Sequence, residues 1–443
     1  RSLLTKGFAL GMSLPPISAI LAACGGGEES EEDEAEPTAQ PTEEPVATEP
    51  APDDEPEEEP VEEEEPEPTP EPDPDESDSQ EPEETGQESS DSVELPGGEP
   101  ERPQSDSMGY GFNVAWRGDE DGEQFNEMTR QVVDTAGFNW VRFQIHWNQV
   151  QREQEWYDPL PVDRMVDSYE GSDKQILISV VGAPDWARDP ENAQLLADWN
   201  TFYEFMVFLA DRYRGRVHAW EIWNEQNMAH EMQGTVRISD YAYLLDAGYR
   251  GVKDADADAT VVFGGLTPTG VNDPALAVSD VEYLRQFYEF EGGQYVTQFD
   301  VLGMHLNATN NPPDTSYPDN PGPGEWSDDN SFYFLRGLDL RAVMDEFGDE
   351  RPVWVTEFGW TTENMAEGYE YGAEISEEDQ ANFLVSAFDV AREQMPWVTA
   401  MFVWNLNFST ITTEEDEKYP WSVINSDWSP RPAYTALQEM PKP

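Results

Sequence analysis

VHAWEIWNEQN, residues 217–227, and PVWVTEFGW, residues 352–360, are short apolar runs with a glutamate at or near the end of each. β-Branched and aromatic residues packed into so few positions suit strands buried on both faces, as in parallel sheets. A carboxylate is expensive in such a strand unless it is paired or used. Glu225 and Glu357 therefore stand out. Working outward, six further runs of the same texture can be read: Tyr110–Trp116, Trp140–Trp147, Gln175–Val181, Thr260–Leu266, Phe299–Leu306 and Val398–Asn405. Amphipathic stretches separate them, among them Phe125–Ala136, Leu195–Tyr213, Tyr241–Lys253, Phe334–Phe347 and Glu377–Gln394. Eight strands alternating with helices in about 300 residues predict an α/β chain closed as a (β/α)8 barrel. A doubly wound open sheet is the alternative, but it usually carries a glycine fingerprint after its first strand. The segment Asn307–Asn330, with five prolines, reads as a long loop after the sixth strand, where barrels shape a substrate cleft.

Composition divides the chain into three parts. Residues 1–23 read as a secretion leader, with Arg1 and Lys6 at a positive end, an apolar stretch, and Ala22 and Ala23 before Cys24. Residues 24–106 read as a disordered linker, since between Glu28 and Asp106 there are 35 acidic residues and one basic residue, with abundant proline. Residues 107–443 are the barrel domain. That domain still carries a net charge of −38, which argues against nucleic acid or an anionic membrane surface as a partner. A neutral substrate suits it better. Cys24 is the chain's one cysteine, so no intramolecular disulfide or thiolate metal cluster is available. Four histidines without a paired spacing predict no metal site.

In a barrel of this kind the working groups sit at the C-terminal ends of the strands. Two carboxylates at the mouths of opposite strands match the needs of glycosidic bond cleavage, where one group donates a proton and the other attacks the anomeric carbon. The motifs WNE (223–225) and TEFGW (356–360) resemble the acid/base and nucleophile motifs of the retaining (β/α)8 glycosidases of clan A, nearest in texture to glycoside hydrolase families 39 and 5. VRFQIHWNQVQ (141–151) and ILISVVGAPDWA (176–187) resemble the second- and third-strand pattern of family 39-like proteins.

The resemblance implies Glu225 as general acid/base and Glu357 as nucleophile, with no cofactor or metal. It further implies that Asn224 contacts the sugar 2-hydroxyl, that Arg142 holds Glu357 ionised, and that Trp404 forms an aromatic floor. His305 takes the place of a family histidine. The family pattern often has tyrosine two residues on, where this chain has Asn307. The roles imply a Glu225 pKa raised by the charge of Glu357. Trp147, Trp186 and Trp360, near strand ends, are candidate sugar-stacking residues or core filling, and Trp116 and Asn113 on the first strand are weaker candidates. Glu221, deeper on the fourth strand, reads as a buried structural acid, with Arg142 as its alternative partner.

The run Leu21-Ala22-Ala23-Cys24 resembles a bacterial lipobox, which implies a lipid on Cys24 and a cell-surface protein tethered through that lipid alone. The leader is compatible with Sec export or with a twin-arginine signal. A monomer is expected. Two other readings stand beside the hydrolase: a catalytically silent barrel that binds carbohydrate at the cell surface, and a two-lobed solute-binding lipoprotein built on open sheets.

Overall fold

The computed structural model describes residues 108–189, 194–318, 328–364 and 366–443. The leader, Cys24 and the acidic linker lie outside the described residues, as does 319–327 of the proline-rich segment. Eight strands form the sheet: β1 (Gly109–Asn113), β2 (Trp140–His146), β3 (Gln175–Val181), β4 (Ala219–Ile222), β5 (Thr260–Leu266), β6 (Val301–His305), β7 (Val353–Phe358) and β8 (Val398–Val403). Each pairs in parallel with its neighbours in sequence, and β1 pairs with both β2 and β8, which closes the barrel. The open-sheet and two-lobed readings are thereby excluded.

A helix of eight or more residues follows each strand: α1 (Gly122–Ala136), α2 (Leu160–Asp167), α3 (Asn200–Arg212), α4 (Ile238–Ala255), α5 (Asp280–Glu289), α6 (Gly337–Glu346), α7 (Glu377–Gln394) and α8 (Pro432–Glu439). Local chemistry explains the sharpest boundary. At the start of α7 the Ser376 side chain accepts from the Asp379 N–H at 3.1 Å, the Asp379 carboxylate accepts in return from the Ser376 N–H, and Glu377 and Glu378 favour the same helix end. In α1, Phe125, Thr129, Val133 and Ala136 are buried at helical spacing against the barrel. Among the described residues no helix is long and apolar enough to cross a membrane.

The lumen is layered, as the two-residue period of strands requires. At the bottom, Trp140, Leu177, Ala219, Val262, Val301, Trp354, Ala400 and Phe402 form a closed apolar plug, with Trp140 and Trp354 edge to face at 4.9 Å. Gly111 on β1 makes room for it, because a Cβ there would meet the Phe402 ring at 2.2 Å. Two residues further along the strands the lumen turns polar, with Arg142, Ser179, Glu221 and Thr356 all buried. The outward-facing Trp220, Ile222, Leu302, Met304, Val355 and Phe358 join the core between sheet and helices.

Candidate active site

Two local departures from strand geometry aim the glutamates. On β4 the regular alternation ends at Ile222. Trp223 and Glu225 then adopt φ of 70° and 46°, a left-handed conformation that costs a non-glycine residue about 1–3 kcal/mol. Trp223 thereby turns outward into the core, where its Nε1–H donates to the Glu231 carbonyl at 3.1 Å, and Asn224 and Glu225 are left at the mouth. The Glu225 N–H donates to the Gly265 carbonyl at 2.9 Å, which anchors the turn to β5.

On β7 the pairing slips. Val355 aligns with Met304 while Glu357 aligns with His305, and the register with β8 shifts between Val355 and Phe358. Such a bulge places consecutive residues on one side. Thr356 and Glu357 both reach the lumen, and Phe358 returns to the outer core.

Arg142 is the centre of the polar layer and is fully buried. Its Nε donates to Glu221 Oε2 at 2.6 Å, Nη1 to Glu357 Oε1 and Asn113 Oδ1 at 2.7 Å each, and Nη2 to Asn224 Oδ1 at 2.7 Å. The two roles weighed for this arginine from sequence, partner of Glu221 and partner of Glu357, are filled at once. Glu221 is completely buried, and its second oxygen accepts from the Gly265 N–H at 3.0 Å. It is a structural acid.

His305 stands between the two glutamates. Its Nδ1 lies 2.9 Å from Glu225 Oε1 and its Nε2 lies 3.7 Å from Glu357 Oε1. Ligand-type atoms of Glu225, His305 and Glu357 all fall within 4.8 Å of one another. Gly265 permits this approach, since a Cβ there would sit 2.3 Å from His305 Cδ2. These are the residues that could hold a cation, but a guanidinium nitrogen already sits 2.7 Å from the shared Glu357 oxygen, and like charges at that range oppose metal binding.

Protonation follows from the same contacts. Burial alone would raise the pKa of Glu225, but the hydrogen bond and positive charge of His305, with help from Thr267 and His230, carry it below its ordinary value. Burial raises Glu357; His305 and Arg142 oppose this, Glu225 and Glu221 reinforce it, and its pKa ends above the ordinary carboxylate value. Burial would lower His305, yet the charge of Glu357 and the bond to Glu225 raise it. The expected order of the two glutamates is therefore reversed in the free site. The cause is an imidazole within hydrogen-bond reach of Glu225. At 2.9 and 3.7 Å from the imidazole, the two carboxylates are electrostatically coupled to it, so a change of charge on one of the three acts on the others.

The other sequence candidates separate clearly. Asn224 has its carbonyl oxygen on Arg142, and its amide nitrogen makes no hydrogen bond among the described residues. Trp404 follows β8, is half-buried, and packs 5.0 Å from Phe408. His305 is completely buried, so its contacts are the carboxylates themselves. Trp147 and Trp360 are corrected to core residues. Both are 0% exposed; Trp147 stacks on Phe205 with its Nε1–H on Gln151, and Trp360 donates to the Asn311 carbonyl and packs on Phe334 and Phe383. Neither offers a ring face to a ligand. Asn113, a weak candidate, belongs to the network. Sequence reasoning missed Tyr369 on the β7–α7 loop, a buried phenol that packs edge-on against Trp421 in a cluster against which Trp404 also packs. No local pattern marks it.

No family model matches the sequence, and no curated protein matches it. Solved structures do match the fold. A family 39 glycoside hydrolase from Bacteroides cellulosilyticus superposes with a TM-score of 0.52 at 21% identity over 74% of this chain. The aligned part is 62% of that hydrolase's length. A GH5_18 protein from Streptomyces cattleya, solved with GlcNAc, gives 0.56 at 14% identity, covering 76% of this chain and 82% of that one. Xylanase 10B from Thermotoga maritima gives 0.50 at 18%, covering 75% and 94%. At these identities the likeness is one of fold.

Proposed function

We propose that this chain is a retaining glycoside hydrolase that cleaves β-linked oligo- or polysaccharides by double displacement. One observation carries the reading. Carboxylate oxygens of Glu225 and Glu357 come within 4.8 Å of each other at the mouth of a closed barrel. Carboxyl groups about 5–5.5 Å apart suit retention, whereas about 6.5–9.5 Å leaves room for the water of inversion.

Glu357 Oε1 is held by Arg142, and Oε2 makes no hydrogen bond among the described residues. Oε2 is the oxygen left to attack the anomeric carbon. As that bond forms, the bond from carbon to the leaving oxygen breaks, and Glu225 gives the oxygen a proton. The proton is stored in the Glu225–His305 pair, where it passes across 2.9 Å. A water then attacks the glycosyl ester, Glu225 takes one of its protons, and Glu357 leaves as carboxylate. The free amide of Asn224 is placed to donate to the 2-hydroxyl, and Trp404 offers a ring face beneath the sugar. The surrounding acids Glu225, Glu357 and Glu221 disfavour uronates, so the substrate is read as an uncharged glycan. By the same reading the enzyme is a monomer exported to the cell surface, held by a lipid on Cys24 and carried on the acidic linker.

Incubation with an activated 2-deoxy-2-fluoro β-glycoside, followed by peptide mass mapping, tests the mechanism. Label on Glu357, with retained anomeric configuration by NMR, is expected. An inverted product, or label on another residue, refutes it. A chain that binds glycans and cleaves none favours the silent-barrel alternative.

A further inference from the structure

The loop between β8 and α8 carries an ion pair that the mechanism above does not use. Lys418 Nζ lies 2.9 Å from Glu417 Oε1, and the two side chains keep 38% and 18% of their surface open. A pair half withdrawn from water adds little stability and carries a desolvation cost. Even so, the backbone beneath it is pinned at successive carbonyls. Asn364 Nδ2 donates to the Glu417 carbonyl at 2.9 Å, Asn405 Nδ2 to the Lys418 carbonyl at 3.0 Å, and Thr362 Oγ1 to the Pro420 carbonyl at 3.3 Å. Asn364 and Thr362 follow β7 and Asn405 follows β8, so the framework that presents Glu357 and Trp404 also holds this pair. Three residues beyond Lys418, Trp421 packs edge-on against Tyr369 at 6.3 Å in a cluster against which Trp404 also packs, so this loop lies beside the aromatic ring at the end of β8.

Strand order tells which part of a substrate it would meet. β8 lies between β7, which bears the attacking Glu357, and β1, and it is four strands from β4, after which the proton donor lies. A sugar bonded to Glu357 and stacked on Trp404, as the hydrolase reading has it, would lie on the β7–β8 side, and the leaving group would depart toward Glu225. A carboxylate beside an ammonium offers an acceptor and a donor side by side, which matches two neighbouring hydroxyls of an uncharged sugar.

We propose that Glu417 and Lys418 read adjacent hydroxyls of the glycone and so decide which uncharged sugar the site accepts. This rests on the hydrolase reading. The test compares the wild type, Glu417→Gln and Lys418→Met on 4-nitrophenyl β-glycosides that share one leaving group. Their glycones differ at single positions: gluco, galacto, manno, xylo, and the 4- and 6-deoxy-gluco analogues. On the preferred glycoside each variant should lose about 100-fold in kcat/KM, since a site built to bond a hydroxyl discriminates strongly once a partner is lost. On the analogue lacking the hydroxyl that is read, the loss should shrink to a few-fold, with an unchanged melting temperature. Glu417→Asp should retain part of the discrimination. Equal losses on every glycone, losses that follow the leaving group instead, or no loss overturn this inference and leave the hydrolase reading standing. A wild type that cleaves none of a broad glycoside panel overturns the hydrolase reading first.

Discussion

Replacing Arg142 with methionine removes the guanidinium that pairs with both Glu221 and Glu357 in the lumen. Four hydrogen bonds of 2.6–2.7 Å vanish together, and a completely buried carboxylate keeps only the Gly265 N–H. Breaking a buried pair from one side costs about 3–5 kcal/mol, because the remaining charge is stranded. A domain of this size unfolds with an entropy of about 0.7 kcal/mol per degree, so the melting temperature should fall by about 4–7 °C at neutral pH. The sign of the pH dependence follows. The pKa of Glu357 already lies above the ordinary carboxylate value through burial, and loss of the opposing Arg142 charge raises it further. The deficit is therefore full at pH above that raised value and shrinks as pH falls through it and the group takes up a proton. Calorimetric melts at several pH values between 5 and 9, for wild type and Arg142→Met, give the measurement. Adding Glu221→Gln to the variant should recover much of the loss. A deficit below 1 °C, or one that does not change with pH, would refute the claim that Arg142 neutralises these acids.

Two further predictions concern the proton and its geometry. His305→Asn removes the reservoir next to Glu225. In the wild type the shared proton is kept until pH climbs through the raised His305 value, so the alkaline limb of the kcat/KM profile should move to lower pH in the variant. An unmoved limb would show that His305 holds no part of that proton. Gly265→Ala would set a methyl 2.3 Å from His305 Cδ2 and 2.6 Å from Thr356 Oγ1. Overpacking of that kind costs about 1–3 kcal/mol, and the displaced imidazole should lower kcat by about 100-fold, as misplacement of a catalytic group by an ångström does. Full activity in a folded Gly265→Ala protein would remove His305 from the mechanism.

Much of the architecture was legible because its determinants are local. Apolar runs buried on both faces marked all eight strands to within a few residues, and the amphipathic run Glu377–Gln394 was read with its observed ends. Helices α2 and α8 were not read, being 8 residues long, too short for periodicity to declare itself. Glu225 and Glu357 were legible for the same reason as the strands, as charges at the ends of apolar runs. What the runs could not contain is direction and company. Strict alternation cannot bring Thr356 and Glu357 to one side, nor turn Trp223 away while Glu225 stays. The β7 bulge and the left-handed turn after β4 do so, and both depend on pairing with neighbouring strands. Likewise Trp147 and Trp360 looked exposed by position and are buried by packing against helices and loops far along the chain. The protonation order of the pair depends on His305, 80 residues from one partner and 52 from the other. Composition and periodicity therefore determined the barrel and the two carboxylates. Only closure of that barrel brought Arg142 and His305 to them, because electrostatic fields and hydrogen bonds act through space and leave no trace in residue spacing.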